Sequence, residues 1–399
     1  MTTSTGGAST SSTDPRPAAS SGRPVGIAVA LAFSLALVEA LCWTLGTLVV
    51  IPRAPFVFHR PPERDTIGAA AFADYVATRD PDLGWPAASE ATRSRPDPLF
   101  PEPGTEWVSA YGDSFTQGHG VGDDATWCHV LSRKIGARVA NFGVGGYGTD
   151  QAFLRFRKNR ADRARVTILG IYPDDLKRNV NQQRYLLMPI AASRFGLKPR
   201  FVLDGEALKL EPLPTLSHAE YLDSFAHPER YFPAEFFLPG TRDTQPAWSF
   251  PFSVSIVRAV LSPQVNHWLH TRPGWLDFAS VGHPSRALEI TTAIVRAFEA
   301  LAAERGKRVL VLVFPPESSF EAYRRDGVVP TGVLDDRLAK AGTDVLDLTV
   351  GLDEYLAGRP FIDLYLRPRS SHYNAEAHRA IADLVRHRML ERGLLPPAR

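Results

Sequence analysis

The sequence predicts an α/β fold: a three-layer parallel sheet with helices on both faces, an inserted region, and a transmembrane helix ahead of it. Three observations predict this. Short apolar runs suited to buried strands, at 107–112, 138–144, 165–172, 308–314 and 344–348, alternate with stretches of helical periodicity. Strands separated by helices must cross over, which makes them parallel and covers both faces of the sheet. One apolar run near the N-terminus, 24–52, contains a single charge, Glu39. It exceeds the roughly 20 residues needed to span a bilayer.

Taken in order, residues 1–23 are rich in Ser, Thr, Gly, Ala and Pro and predict a disordered tail. The run 24–52 is longer than the h-region of a secretory signal, and no small-x-small cleavage site follows it. Leu41 before Cys42 argues against a lipoprotein site. The prediction is one uncleaved anchor. Arg16 and Arg23 precede it and Arg53, Arg60 and Arg64 follow it, so the positive-inside rule does not choose an orientation. Residues 53–105, rich in Pro and Arg, read as a linker that ends by packing on the domain.

The regular domain is expected over 106–399. Asp124 is the expected cap of a helix through Trp127, Val130, Leu131 and Ile135 that stops at Gly136. Further helices are predicted at 149–159, 284–305 and 375–392, the last burying Ile381, Leu384, Val385 and Met389. Between about 182 and 283 the alternation fails. A hairpin at 201–210 turns on Asp204-Gly205, followed by an aromatic, Pro-rich stretch with weak periodicity. So long an irregular segment inside a compact domain predicts an inserted cap beside the active site.

Composition excludes several classes. The chain of 399 residues is 44% apolar, enough for a full core, and its net charge of +2 is spread along the sequence. Without a basic stripe interleaved with aromatics, nucleic acid is not an expected partner. The two cysteines, Cys42 and Cys128, are not expected to pair, and no zinc ligand set is visible. His267, His270 and His283 lack metal-ligand spacing, and His119 is expected in an exposed loop. Gly143-x-Gly145-Gly146 is a poor dinucleotide fingerprint. No cofactor is expected.

The strongest chemical signal is Gly112-Asp113-Ser114-Phe115-Thr116-Gln117-Gly118, which follows an apolar strand and precedes a helix. A serine hydroxyl is a weak nucleophile until a base takes its proton, so it needs an exposed strand end with room for a histidine. His372, just ahead of the last helix, can reach Ser114 across the carboxyl edge of the sheet.

These residues resemble the SGNH, or GDSL, hydrolase family, whose fold is flavodoxin-like. The likeness covers about 105–180 and 305–395 in four blocks. The first is the Ser114 block. The second, Asn141-Phe142-Gly143-Val144-Gly145-Gly146, implies an oxyanion hole formed by the N–H groups of Ser114 and Gly146. The third departs from the family: where an asparagine is expected after the third strand, the sequence has Asp174-Asp175. Asp175 stands in that position in one register and Asp174 in the other. A protonated Asp, Asn179 or another donor in its place, or a hole with two N–H donors alone all remain open. The fourth block, Ser371-His372-Tyr373-Asn374, carries the base. Arg369 stands where the family often has an orienting aspartate, leaving Asp363, a backbone carbonyl or no partner for that role.

The resemblance implies a serine esterase acting on O-acyl esters, with acetyl the expected acyl group. The stretch 141–151 is especially similar to members serving bacterial envelope and exopolysaccharide chemistry. Acyl transfer to a polysaccharide is therefore an alternative, and an impaired glycan-binding protein on the same fold is another. The expected partners are an acylated small-molecule or glycan substrate, the membrane through 24–52, and envelope polysaccharide machinery. The catalytic domain is expected outside the cytoplasm.

Overall fold

The computed structural model describes the chain apart from residues 5, 8–21, 55–56, 63–65, 242–243, 264, 267–272, 368–369 and 398–399. Most of the expected tail lies outside the described residues, as do Arg16, Arg64, His267, His270 and Arg369.

Five strands form one parallel sheet in the order β2-β1-β3-β6-β7: β1 Glu106–Tyr111, β2 Arg138–Asn141, β3 Val166–Ile171, β6 Arg308–Val313 and β7 Val345–Asp347. Central β3 is buried at every residue, as a strand covered on both faces must be. The hairpin β4 Arg200–Asp204 and β5 Ala207–Glu211 pairs by itself outside this sheet, turning at Gly205-Glu206.

The helices divide between the two faces. Helices α3 (Trp127–Ile135), α10 (Leu348–Leu356) and α11 (Ala375–Glu391) build one core with Trp127, Leu131, Leu352, Ile381 and Val385. On the other face α4 (Thr149–Lys158) and α7 (Ala287–Glu304) pack Phe153, Phe156, Ile294 and Phe298. Other helices are α1 (Gly22–Leu45) and α2 (Ser114–Gln117), which precede these, and α5 (Asp175–Arg178), α6 (Phe252–Leu261), α8 (Glu317–Asp326) and α9 (Gly332–Lys340), which lie among them in sequence. The strand order reverses between β1 and β3, and such a reversal opens a crevice at the carboxyl ends of those strands. Ser114 follows β1 and Asp175 follows β3 at this crevice.

Three sequence expectations change. The cap of α3 is Thr126, whose hydroxyl accepts from the His129 N–H at 3.2 Å. Asp124 lies in the 3-10 turn Asp123–Ala125 ahead of it. Leu384 is only half-buried on α11, while Ile381, Val385 and Met389 are fully enclosed. Several described residues within 53–105 pack on the domain well before the end of that segment. Ile67, Leu83 and Ala91 are buried with the α4–α7 face, and Asp97 accepts from His129 and Ser132 of α3. The packing expected at the end of the linker thus reaches further along it, because chain extended along a domain needs only occasional apolar anchors to be held there.

The apolar N-terminal helix continues from α1 to Arg53, with a π-helical stretch at Gly46–Val50. Its length and composition suffice to cross a membrane. Cys42 and Cys128 are both free thiols.

Candidate active site

The turn after β1 is held from below. Asp113 caps α2 by accepting from the Phe115 N–H at 2.9 Å. Its other oxygen meets the Arg178 guanidinium at 2.9 Å, and the same guanidinium nitrogen donates to Asp175 at 2.8 Å and to the Tyr147 carbonyl at 2.9 Å. One buried arginine thus ties together the strand-end turns after β1 and β3 and the loop after β2. Ser114 is the first residue of α2, so its N–H lies ahead of the helical ladder and is not consumed by it.

The histidine loop is pinned immediately after the histidine. Tyr373 donates its phenol to the Pro315 carbonyl at 2.6 Å. Asn374 caps α11, accepting from the Glu376 and Ala377 N–H groups. Just ahead of these anchors, His372 Nε2 lies 2.9 Å from Ser114 Oγ. Its Nδ1 lies 2.8 Å from Ser370 Oγ, which also accepts the His372 backbone N–H at 3.1 Å. An Nδ1-protonated ring donates to Ser370 and leaves Nε2 free to accept the Ser114 proton. Ser114 is largely buried, with 7% of its surface exposed, where the sequence predicts an exposed strand end.

The imidazole is pushed down to about 4, first by burial, then by the neighbouring charges of His119 and Arg178. It is a neutral acceptor at neutral pH. His119, in an exposed loop as expected, brings its ring within 4.7 Å of the His372 ring. Phe115 stacks between this site and Tyr172, at 4.0 Å from the latter ring.

Asp363 is exposed and meets the histidine loop through its backbone carbonyl, which accepts from Asn374. The partner of Nδ1 is instead Ser370, a neutral hydroxyl two residues before the histidine. Asp175 is engaged by neighbours within the fold. Its carboxyl oxygens accept from the Tyr172 N–H at 3.1 Å and from Arg178. Burial, then the adjacent Asp113 charge, pushes this carboxyl well up. Asn179 is also committed elsewhere, accepting from the Asp150 N–H and donating to Thr291. Asp174 pairs with Lys177 at 2.9 Å.

Gly146 has φ +79°, a left-handed conformation that suits glycine, and a Cβ there would lie 2.6 Å from an Arg184 nitrogen. Arg184 donates to the Gly146 carbonyl at 2.6 Å. Burial and the neighbouring Arg178 lower it to about 10, so it remains a cation at neutral pH. Trp85, from the segment ahead of the domain, donates to the Gly145 carbonyl at 3.0 Å and braces the same loop. Sequence reasoning missed Ser370, Arg178, Arg184 and Trp85. The i,i+3 spacing of Asp175 and Arg178 hinted at one ion pair, while nothing local signalled Arg184.

A cavity of about 420 Å³ adjoins the histidine loop, lined by Tyr172, Asp174, Lys177, Trp275, Arg367 and Ser371 among others. Trp275 comes from the segment 182–283, so part of that segment walls the space next to the histidine loop.

The strand order, the serine after β1 and the histidine before the last helix form the arrangement that the SGNH resemblance implies. No family model matches the chain. No curated protein matches it either. Among solved structures it is similar to a lipolytic G-D-S-L family protein from Veillonella parvula, at 12% identity over 71% of this chain and 96% of that one, with a TM-score of 0.34. It is also similar to TesA, at 11% identity over 72% and 99%, TM-score 0.36. A Lactobacillus plantarum protein matches at 12% identity over 72% and 97%, TM-score 0.35. Likenesses this remote carry no argument about activity; the residues around Ser114 have to carry it.

Proposed function

We propose that this chain is a membrane-anchored serine esterase of the SGNH type, acting on O-acyl esters. The observation that carries the reading is the 2.9 Å contact between Ser114 Oγ and His372 Nε2, with Nδ1 held by Ser370. Ser114 Oγ attacks the ester carbonyl while its proton passes to Nε2. The Ser114 and Gly146 N–H groups hold the developing oxyanion, and Arg184 places a cation at the edge of that loop. The imidazolium then returns the proton to the departing alkoxide, leaving Ser114 acylated. Water, deprotonated by the same imidazole, attacks the acyl carbonyl and releases the acid. A Ser-His dyad suffices because a third member mainly fixes tautomer and ring orientation.

Retention of the anchor is supported by the domain's use of it. Phe252 donates to Glu39 at 2.5 Å, and Ile51 joins Phe58 and Ala259 in a buried cluster. A cleaved signal segment would leave these groups unmatched. The proposed substrate side lies outside the cytoplasm, where acyl esters of envelope glycans are found.

Transfer of the acyl group to a sugar hydroxyl is the second reading. It is favoured by the adjoining cavity, whose aromatic and charged lining suits a glycan better than an acyl chain. The test treats the full chain in detergent with a fluorophosphonate probe, beside Ser114→Ala and His372→Ala. Labelling lost with Ser114→Ala and sharply reduced with His372→Ala is expected. Absence of labelling between mildly acidic and basic pH sinks the enzyme reading. Acetyl-ester turnover with and without a glycan acceptor then separates hydrolysis from transfer.

A further inference from the structure

The segment 246–262 leaves the domain and runs along the apolar N-terminal helix. Its descending arm starts beside His59, whose N–H donates to the Pro246 carbonyl at 2.9 Å. Trp248 then packs against Gly46, where a Cβ would fall 2.0 Å from its ring, and against Phe58 at a centroid distance of 4.7 Å. The turn reaches Glu39. Its carboxylate accepts from the Phe252 N–H at 2.5 Å, from the Ser253 N–H at 3.3 Å and from the Ser253 hydroxyl. From there α6 returns toward the domain, where Ala259 packs with Ile51, Ala54 and Phe58.

At about 1.5 Å per residue, Glu39 lies about 20 Å along the helix from Arg53. The turn therefore sits well inside any bilayer that this helix crosses. Its chemistry suits that place. Phe250, Val254, Val257 and Val260 face outward, with Phe250 71% and Val257 56% exposed. These positions continue the outward apolar surface of α1, including Phe33, Leu35 and Leu41. Water would make such a surface costly, whereas acyl chains match it.

Irregular backbone survives in hydrocarbon only where its polar groups are satisfied within the protein. Ser255 Oγ donates to the Ala247 and Ser249 carbonyls at 3.0 and 2.8 Å, and Glu39 meets the free N–H groups at the start of α6. This accounts for a carboxylate in the middle of an apolar run, where an unpartnered one would be expensive. Arg258, nearer the shallow end of α6, is exposed and long enough to extend toward headgroups.

We propose that residues 246–262 form a re-entrant hairpin, inserted beside α1 into the domain-facing half of the bilayer, with Phe250, Val254 and Val257 against lipid acyl chains. The proposal rests on reading α1 as a retained transmembrane helix. The enzyme is then seated on the membrane by two elements rather than tethered by one.

The test places spin labels, one at a time, at Val257→Cys, Leu35→Cys and Val281→Cys in a Cys42→Ala background, Cys128 being buried. The full chain is reconstituted in phosphatidylethanolamine–phosphatidylglycerol vesicles. Collision with oxygen, which concentrates in lipid, is compared with collision with a water-soluble nickel chelate. Val257 is expected to follow Leu35 in favouring oxygen several-fold, while Val281 favours nickel. If Leu35 favours oxygen and Val257 favours nickel, the hairpin is overturned and the anchor stands. If Leu35 itself favours nickel, both readings fall. A Val257 label that meets neither agent and couples to a second label assigns the face to another copy of the chain, which also overturns the proposal. Gly46→Leu removes the seat of Trp248 while leaving the domain core intact. With fluorophosphonate labelling retained as the check on folding, it is expected to move the Val257 label toward nickel, and an unchanged label counts against the proposed seating.

Discussion

At the residue scale, the site turns on what holds the far nitrogen of His372. A serine hydroxyl orients the ring but brings no charge to steady the imidazolium. Ser370→Ala is expected to lower kcat on the order of 10-fold with little change in KM, less than the loss when a charged orienting acid is removed. Ser370→Asp is expected to raise the pKa of His372 and move the acid limb of the pH–rate profile upward. In the parent, the pKa of the base is lowered to about 4, so activity should persist into mild acid and fall only as pH drops through that value. His119→Ala removes one of the charges that lower it, and the acid limb is expected to shift toward higher pH. A profile with its acid limb near the ordinary histidine value in the parent would refute this electrostatic account. Ser114 and His372 were legible because their chemistry is bound to short motifs at element junctions. Ser370 and Arg184 were not, because which side chain faces a ring nitrogen or a glycine loop depends on loop paths that spacing does not encode.

At the element scale, caps decide where helices begin, and neighbouring polar residues compete for the role. Asp124 and Thr126 are both good capping types, and only the 3-10 turn at Asp123–Ala125 selects the threonine. Thr126→Ala is therefore expected to lower stability by about 1 kcal/mol, and Asp124→Ala by only a few tenths. Thermal or urea unfolding of the two variants side by side distinguishes them, and equal losses would show that the cap does not act as described. The sheet strands were readable as short apolar runs, of which β2 and β3 are buried at every residue. Helix α6 was not, since it buries Ser255 and Ala259 while Val254, Val257 and Val260 face outward, the reverse of the pattern that marks a helix on a soluble core. Its partner, α1, lies more than two hundred residues away in sequence.

At the scale of the whole molecule, the apolar N-terminal helix and the domain share a small buried cluster. Removing residues 1–53 takes away Glu39, Gly46 and Ile51, and uncovers Trp248 and Ala259. The truncated chain from residue 54 is expected to keep its sheet and its dyad but to bind detergent or sediment with vesicles through α6. A monodisperse, detergent-free truncated chain that ignores vesicles would argue that α6 has another cover. The buried Arg178 cluster acts at the same scale, linking the turns after β1, β2 and β3. Arg178→Met leaves Asp113 and Asp175 without their cation and is expected to cost about 3–5 kcal/mol, read as a lowered urea midpoint.

By itself, the sequence determined the layer architecture, the apolar helix, and the serine and histidine, because periodicity, run length and short motifs are local physical signals. The tertiary structure decided the rest. It chose Ser370 over Asp363, set Asp175 beside Arg178, packed Ile67, Leu83 and Ala91 into the core and brought 246–262 against Glu39. Each of these depends on which distant groups share a low-dielectric interior, where an unpaired polar atom is costly and must find a partner wherever the fold supplies one.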